Sequence, residues 1–264
     1  MIEWKKLVKN EKENPYDNIK SFIKKDAYSS QNALIVVKDL SHNFKSKVIY
    51  KNINFEIYEN EKVAFLGPNG AGKTTMISTI CGFIKPKSGN IDYLFNYNKK
   101  PYEKLSVQFQ DLQFPSSLTP KDLIEFTIKL TNSKNYEEEI IEGIKAFGID
   151  DILNIKMSKL SGGQQQRVNV FLSIIGKPKI LFLDEFTTGL DISVKNKLQK
   201  YIMDFCKKNK ITLVMISHDV DSIEEMAERI IILANKKIIV DAYKEDIENE
   251  FGSTRNMLKK FILS

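Results

Sequence analysis

The stretch Lys62-Val63-Ala64-Phe65-Leu66-Gly67-Pro68-Asn69-Gly70-Ala71-Gly72-Lys73-Thr74-Thr75 decides how this chain folds. Its first half is a short apolar run of the kind that forms a buried strand. Its second half has the spacing G-x-x-x-x-G-K-[ST] from Gly67 to Thr74. Glycines at these points let the backbone turn so that its N–H groups point inward at an anion. The loop also opens a helix, whose positive end attracts negative charge. Lys73 is placed to reach the β- and γ-phosphates of a nucleotide, and the Thr74 hydroxyl to ligate Mg²⁺; Thr75 continues the run. A chance glycine-rich turn is the competing explanation. The strand before the loop and the helix expected over 73–82 tell against it.

Outward from this loop the chain alternates strand and helix. Upstream, ALIVVKDL from Ala33 reads as a strand, and Ile53, Phe55 and Ile57 alternate with polar residues as in a half-buried strand. Downstream, 104–110 (KLSVQFQ) reads as a strand. Residues 120–160 read as helical, with Pro120 suited to a helix start; their apolar positions include Leu123, Ile124, Phe126, Leu130, Ile140, Ile141 and Phe147. The runs 179–185 (KILFLDE) and 211–218 (ITLVMISH) are continuously apolar, as in a parallel sheet covered on both faces. Helices are expected over 192–208 and 220–228, and IIIL with KKIIV as a closing hairpin. Such alternation around a glycine-rich turn means an α/β fold. Residues 1–32 are polar and irregular: a loosely ordered tail, or an arm that docks on a partner. Within them Ile19, Phe22 and Ile23 mark one face of a short helix.

Composition narrows the function classes. The 264 residues are 42% hydrophobic and 28% charged, which suits a globular chain with a real core rather than a disordered one. Lys plus Arg is 40 against 34 Asp plus Glu, a net +6. Only Arg167, Arg229 and Arg255 carry a guanidinium, poor material for reading nucleic acid. Cys81 and Cys206 make neither a disulfide framework nor a zinc spacing and fit a reducing compartment. No window approaches the ~18 apolar residues of a membrane-spanning helix, and the N-terminus lacks a signal's apolar core. A cytoplasmic protein is expected, with any membrane role exerted through a partner chain.

ILFLDE at 180–185 ends an apolar strand in two carboxylates. Asp184 would hold Mg²⁺ through water, and Glu185 would polarise an attacking water as general base. Acids also end strands as helix caps, but the loop at 67–74 gives this pair a partner.

One further run separates families that share such a loop. Leu160-Ser161-Gly162-Gly163-Gln164 lies between the two nucleotide motifs, and with them it makes the chain resemble the nucleotide-binding subunits of ABC (ATP-binding cassette) transporters. Ser161 and the glycines open a helix, offering N–H donors, a hydroxyl and the positive dipole end to an anion. The resemblance covers about 33–245. It implies a P-loop NTPase core with a mostly parallel sheet, an N-terminal antiparallel β subdomain and an inserted helical subdomain at about 111–165. Residues 1–32 form an extension and 246–264 a short tail. It implies ATP and Mg²⁺, and a head-to-tail pair of subunits in which one chain's 67–74 loop meets the other's Ser161–Gln164. It also implies separate transmembrane permease chains and a peripheral place on the cytoplasmic face of the membrane.

Further residues match the family's pattern singly. Gln110 resembles the Gln that reaches Mg²⁺ and the attacking water; Gln108 competes, because strand alternation puts both on one face, and the loop expected from Asp111 favours Gln110. Asp191 in TTGLD resembles the Asp that crosses the dimer interface. His218 in MISHD resembles the switch His at the γ-phosphate, against the reading of a structural histidine; His42 has no such support. Phe44 resembles the aromatic on which adenine stacks, usually Tyr, the alternative being a core Phe. Two positions depart from the pattern: Phe186 stands where Pro often follows the Glu, and Asn60 replaces a common Gly, which Asn can do because it tolerates φ > 0. The short helical insert between Gln110 and Ser161 and the phrase GFIKPKSGNI lean to the export-type branch. The leading expectation is thus an ATP-hydrolysing transporter subunit. The alternative is a soluble ABC ATPase, for example one serving iron–sulfur assembly.

Overall fold

A computed structural model describes residues 21–24, 32–110 and 114–261, the side chain of Lys134 excepted. The chain begins in strands: β1 (Phe22–Ile23), then the long hairpin β2 (Ala33–Phe44) and β3 (Lys47–Tyr58), then β4 (Lys62–Leu66). Helix α1 (Lys73–Ile80) follows, then β5 (Ser88–Tyr93) and β6 (Leu105–Gln108). A helical segment holds α2 (Pro120–Thr131), α3 (Glu137–Ala146) and α4 (Gly162–Ile174). Strand and helix then alternate through β7 (Ile180–Asp184), α5 (Ile192–Asn209), β8 (Thr212–Ile216), α6 (Val220–Met226) and β9 (Arg229–Ala234). β10 (Lys237–Tyr243), α7 (Lys244–Phe251) and α8 (Thr254–Phe261) close the described chain.

Seven strands form one sheet in the order β1-β10-β9-β4-β8-β7-β6. From β9 to β6 every neighbouring pair is parallel, while β10 runs antiparallel to β9. β7, β8 and β9 are buried at every residue, as continuous apolar runs between helix-covered faces must be. A second, antiparallel sheet has the order β3-β2-β5. Its inward residues Leu40, Ile53, Phe55 and Ile57 share a core with Val63 and Phe65 of β4 and with Met76, Ile77 and Ile80 of α1. The opposite face of the large sheet packs against α4, α5 and the two last helices through Val168, Phe171, Leu198, Ile202, Met257 and Phe261. The α/β fold with a mostly parallel sheet, an antiparallel β unit and a helical insert is therefore present.

Local signals place the helix starts. Pro120 takes a first-turn position behind Thr119, which forms a capping box with Asp122. Asn60 adopts φ 63°, the conformation that Asn tolerates in place of Gly. Arg229, 1% exposed, ties the base of the sheet together: it donates to Asp241 at 2.7 and 2.9 Å, to Glu61 at 3.3–3.4 Å and to the Glu56 carbonyl at 3.0 Å.

Several expectations need correction. Phe22 and Ile23 form a strand parallel to β10, not a helix face, because the open edge of β10 offers them backbone partners. Phe22 also packs edge-on against Phe251 at 5.1 Å. Ile19 and the rest of 1–20, with 25–31, lie outside the described residues, as does Asp111. Residues 120–160 are helical as expected, in pieces: a left-handed Asn132 ends α2, and short 3₁₀ turns flank the longer helices. β5 had no sequence signal, since Ser88-Gly89-Asn90 is turn-like in composition and becomes strand only by pairing with β2. Of the tail expected at 246–264, the described residues up to 261 belong largely to α7 and α8, which pack on the sheet. Among the described residues no helix is long and apolar enough to cross a membrane.

Candidate functional site

Because β4, β8 and β7 are adjacent and parallel, their carboxyl ends open side by side, the place where open α/β sheets hold ligands. From the end of β4 comes the loop 67–74, from β7 Asp184 and Glu185, from β8 His218, and beyond β6 Gln110. They line a cleft of about 300 Å³ together with Asn69, Gly70, Gly72, Lys73, Thr74 and Thr75.

The loop's shape requires its glycines at two points. Gly67 has φ 142°, and a Cβ there would lie 2.0 Å from the Leu233 carbonyl oxygen. Gly72 has φ 100°, with Ile49 2.5 Å from where a Cβ would stand. Pro68 shapes the turn by accepting from the Ala71 N–H at 3.1 Å. Lys73, 8% exposed, folds back and donates to the carbonyls of Gly67 at 2.7 Å and Pro68 at 3.2 Å. Burial pulls its pKa down, against the opposing pull of Glu185 and Asp184. The Thr74 hydroxyl donates to Asp184 Oδ2 at 2.7 Å, so the two expected Mg²⁺ ligands already touch.

Glu185 stands one residue past β7 with φ 53°, a left-handed backbone that costs a non-glycine residue energy and recurs at functional sites. Its N–H donates to the Ile216 carbonyl at 3.0 Å. Burial, then the Asp184 charge, raise its pKa, while Lys73 opposes. His218 Nε2 lies 3.4 Å from Glu185 Oε1. Burial, then Lys73, push the His218 pKa down, so the ring favours its neutral form. Phe186 is fully buried in the core, so the turn after Glu185 is anchored by packing where the family often has Pro. The choice between the two glutamines also resolves in space: Gln110 lines the cleft, whereas Gln108 is fully buried and bonds the Phe109 carbonyl. Alternation had no power here, because β6 ends at Gln108.

Other candidates are not in this cleft. Ser161 is the N-cap of α4 and forms a capping box with Gln164. A Cβ on Gly163 would sit 3.0 Å from the Gly189 carbonyl, and one on Gly162 would meet nothing within 4 Å. Asp191 caps α5, accepting from the Val194 N–H at 3.0 Å. Phe44 is 51% exposed at the tip of the β2–β3 hairpin. Its register partner Lys47 lines the cleft.

Sequence reasoning missed several members. Lys47 and Ile49 enter from the second hairpin strand. Gln166 Nε2 on α4 donates to the Glu185 carbonyl at 3.4 Å, and Lys195 bonds Asp219, which caps α6 behind His218. No local pattern marks them; each is made relevant by an element distant in sequence.

Comparison with known proteins gives the family. The family profile described as "ABC transporter" matches residues 50–188, just over half of the chain. A spermidine/putrescine import ATP-binding protein, PotA, of Mycoplasma capricolum is 32% identical over 83% of this chain and 64% of that protein. A protein of the same name from Spiroplasma citri is 32% identical over 82% of this chain and 63% of its own length. The chain thus spans about 64% of the length of such relatives. A tyrosine transport ATP-binding protein of Clostridioides difficile is 29% identical over 86% of this chain and 98% of that protein. A solved ATP-binding subunit of an ABC transporter superposes with a TM-score of 0.76 at 21% identity, over 86% of this chain and 99% of the other, which speaks to the fold. The lean toward the export-type branch finds no support: the PotA relatives are named for import. Insert length and loop phrasing report how subdomains are joined, not the direction of transport. With its phosphate loop, acidic strand end and signature run in the order that the family requires, the chain belongs to the ABC transporter family as an ATP-binding domain.

Proposed function

We propose that this chain is the ATP-hydrolysing subunit of an ABC importer, working at the cytoplasmic face of the membrane with permease chains and a second ATP-binding subunit. The carrying observation is the convergence of the 67–74 loop, the Thr74–Asp184 contact, Gln110, Glu185 and His218 in one cleft. The named PotA relatives favour import. They do not agree with the Clostridioides difficile protein on cargo, which fits a subunit that leaves cargo choice to the permease. The extension 1–32, the ATPase domain 33–245 with its helical subdomain at about 111–165, and the tail 246–264 are the proposed units.

The donor set fits Mg²⁺. Mg²⁺ favours oxygen ligands, few from protein and the rest from phosphate and water. Here a hydroxyl and a carboxylate already touch at 2.7 Å, with the Gln110 amide in the same cleft. When bound, Mg²⁺ would neutralise charge on the β- and γ-phosphates. The chain's own residues do the rest. The backbone N–H groups of Gly67, Pro68 excepted, through Gly72 and those of Lys73 to Thr75 cradle the phosphates, and Lys73 exchanges its two loop carbonyls for phosphate oxygens. Glu185, partly buried and facing the cleft, orients and polarises the attacking water. Neutral His218 beside Glu185 donates toward the γ-phosphate while leaving the carboxylate free of a charged partner. Ser161 to Gln164 lie outside this cleft and offer a helix start, as expected of residues that complete the partner subunit's site. Asp191 in the adjoining loop would cross the same interface, and Phe44 would stack the adenine.

The test is purification from native membranes in mild detergent, with mass spectrometry of co-purifying chains and Mg²⁺-dependent ATP turnover of the complex. A stoichiometric multi-helix membrane chain and turnover abolished by Glu185→Gln are expected. A cytosolic chain with a soluble partner would overturn the transporter reading.

A further inference from the structure

We infer that His42 is the positioning residue for the base platform: it holds the Phe44 ring upright at the tip of the β2–β3 hairpin and ties it to the phosphate loop. This rests on the proposed reading of Phe44 as the ring on which adenine lies. His42 is 8% exposed on β2, and among the described residues neither Nδ1 nor Nε2 has a hydrogen-bond partner. A buried donor left unpaired is unfavourable and calls for an explanation; an aliphatic residue would fill this place without that penalty. The ring's neighbours supply one. The His42 and Phe44 rings stand T-shaped to each other, centroids 4.8 Å apart at 79°, and the Tyr50 ring lies at 6.0 Å and 38°. An edge-on pair is a favoured aromatic geometry, and an N–H directed at a π face is a weak hydrogen bond.

The chain of contacts continues inward. Tyr50 is fully buried, and its hydroxyl pairs with Thr79 Oγ1 of α1 at 2.9 Å. Tyr50 also packs where Gly72 has no side chain, 3.2 Å from the place a Cβ would take. Phe44, His42, Tyr50 and the α1 end of the phosphate loop therefore form one packed series. A ligand held by its base at one end and its phosphates at the other needs a fixed spacing between the two grips, and this series provides it.

The experiment measures ATP affinity, kcat and the affinity for inorganic tripolyphosphate, which has the phosphates but no base, in the full chain carrying His42→Leu, His42→Phe or Phe44→Ala. His42→Leu is expected to weaken ATP binding about two- to tenfold, the range of one aromatic pair. It should leave kcat at saturation and tripolyphosphate binding unchanged. His42→Phe, which keeps a ring edge but loses the N–H, should recover part of the loss. In a Phe44→Ala background His42→Leu should add nothing further. Unchanged ATP affinity in His42→Leu, an equal loss for tripolyphosphate, or additive losses with Phe44→Ala would each overturn the inference. If Phe44→Ala itself binds ATP normally, the platform reading fails and the inference with it; weakened binding there beside normal binding in His42→Leu overturns the inference alone.

Discussion

Replacing Arg229 by Met should unbalance the base of the sheet in a way that depends on pH. Met keeps the apolar stem but removes the guanidinium that Asp241 contacts at 2.7 and 2.9 Å and Glu61 at 3.3–3.4 Å. Both carboxylates are at least 96% buried by exposure, at 2% and 4%, so water cannot replace the lost partner. Breaking a buried ion pair from one side costs about 3–5 kcal/mol, because an uncompensated charge stays behind. With an unfolding slope of about 2–3 kcal/mol per M, the urea midpoint at pH 8 should fall by about 1–2.5 M. Burial already pushes the Glu61 carboxyl up to about 7 despite the opposing pull of Arg229, since one guanidinium serves two acids. Without Arg229 that pKa rises further. A carboxyl raised in the folded state favours folding below its unfolded value of about 4.5, and loses that contribution as pH climbs through the folded value. The variant's deficit should therefore be largest at pH 8 and shrink on going to pH 6. Urea unfolding of both proteins, followed by far-UV circular dichroism at pH 6 and 8, reads this directly. A deficit under about 1 kcal/mol at pH 8, or one equal at both pH values, would refute the account of an uncompensated buried charge.

Three further outcomes follow from the site. Glu185→Gln should bind ATP normally and turn it over about 10²- to 10⁴-fold more slowly, the usual worth of a general base; wild-type turnover in a coupled assay would remove Glu185 from that role. The same carboxyl, raised by burial and by Asp184, must be ionised to work, so wild-type kcat should fall on the acid side through a limb lying above the ordinary Glu range. A kcat flat down to the ordinary carboxylate range would contradict this. Gly67→Ala should lose nucleotide binding, since its Cβ would lie 2.0 Å from the Leu233 carbonyl at φ 142°; equilibrium titration with a fluorescent ATP analogue checks it, normal affinity being the contrary result.

Much of this molecule was legible because its signals are local. The loop at 67–74 is readable because backbone conformation at Gly67 and Gly72 admits so few residues. The buried strands β7 and β8 are readable because both faces are covered, which forces continuous apolar runs. Pro120 and Ser161 announce helix starts because unpaired N–H groups need a side-chain acceptor or no donor at all. Where the signal is not local, reading failed. Phe126 at 63% and Leu130 at 73% exposed follow a helical apolar pattern yet lie on the surface, since periodicity defines a face but not what covers it. β5 and β1 are strands only because β2 and β10 present unpaired backbone to them.

The sequence by itself therefore determined the α/β class, the phosphate loop, the acidic strand end and the family, because each depends on residues a few positions apart. Tertiary structure alone decided which glutamine reaches the cleft, since β6 ends between Gln108 and Gln110. It turned the pairing of Thr74 with Asp184, which the motifs already implied, into a direct hydrogen bond across 110 positions. It alone set Tyr50 against His42, because the hairpin register pairs the two across β2 and β3 and the missing Cβ at Gly72 leaves room for the Tyr50 ring, whereas His42 and Phe44 meet because they stand two residues apart on one strand.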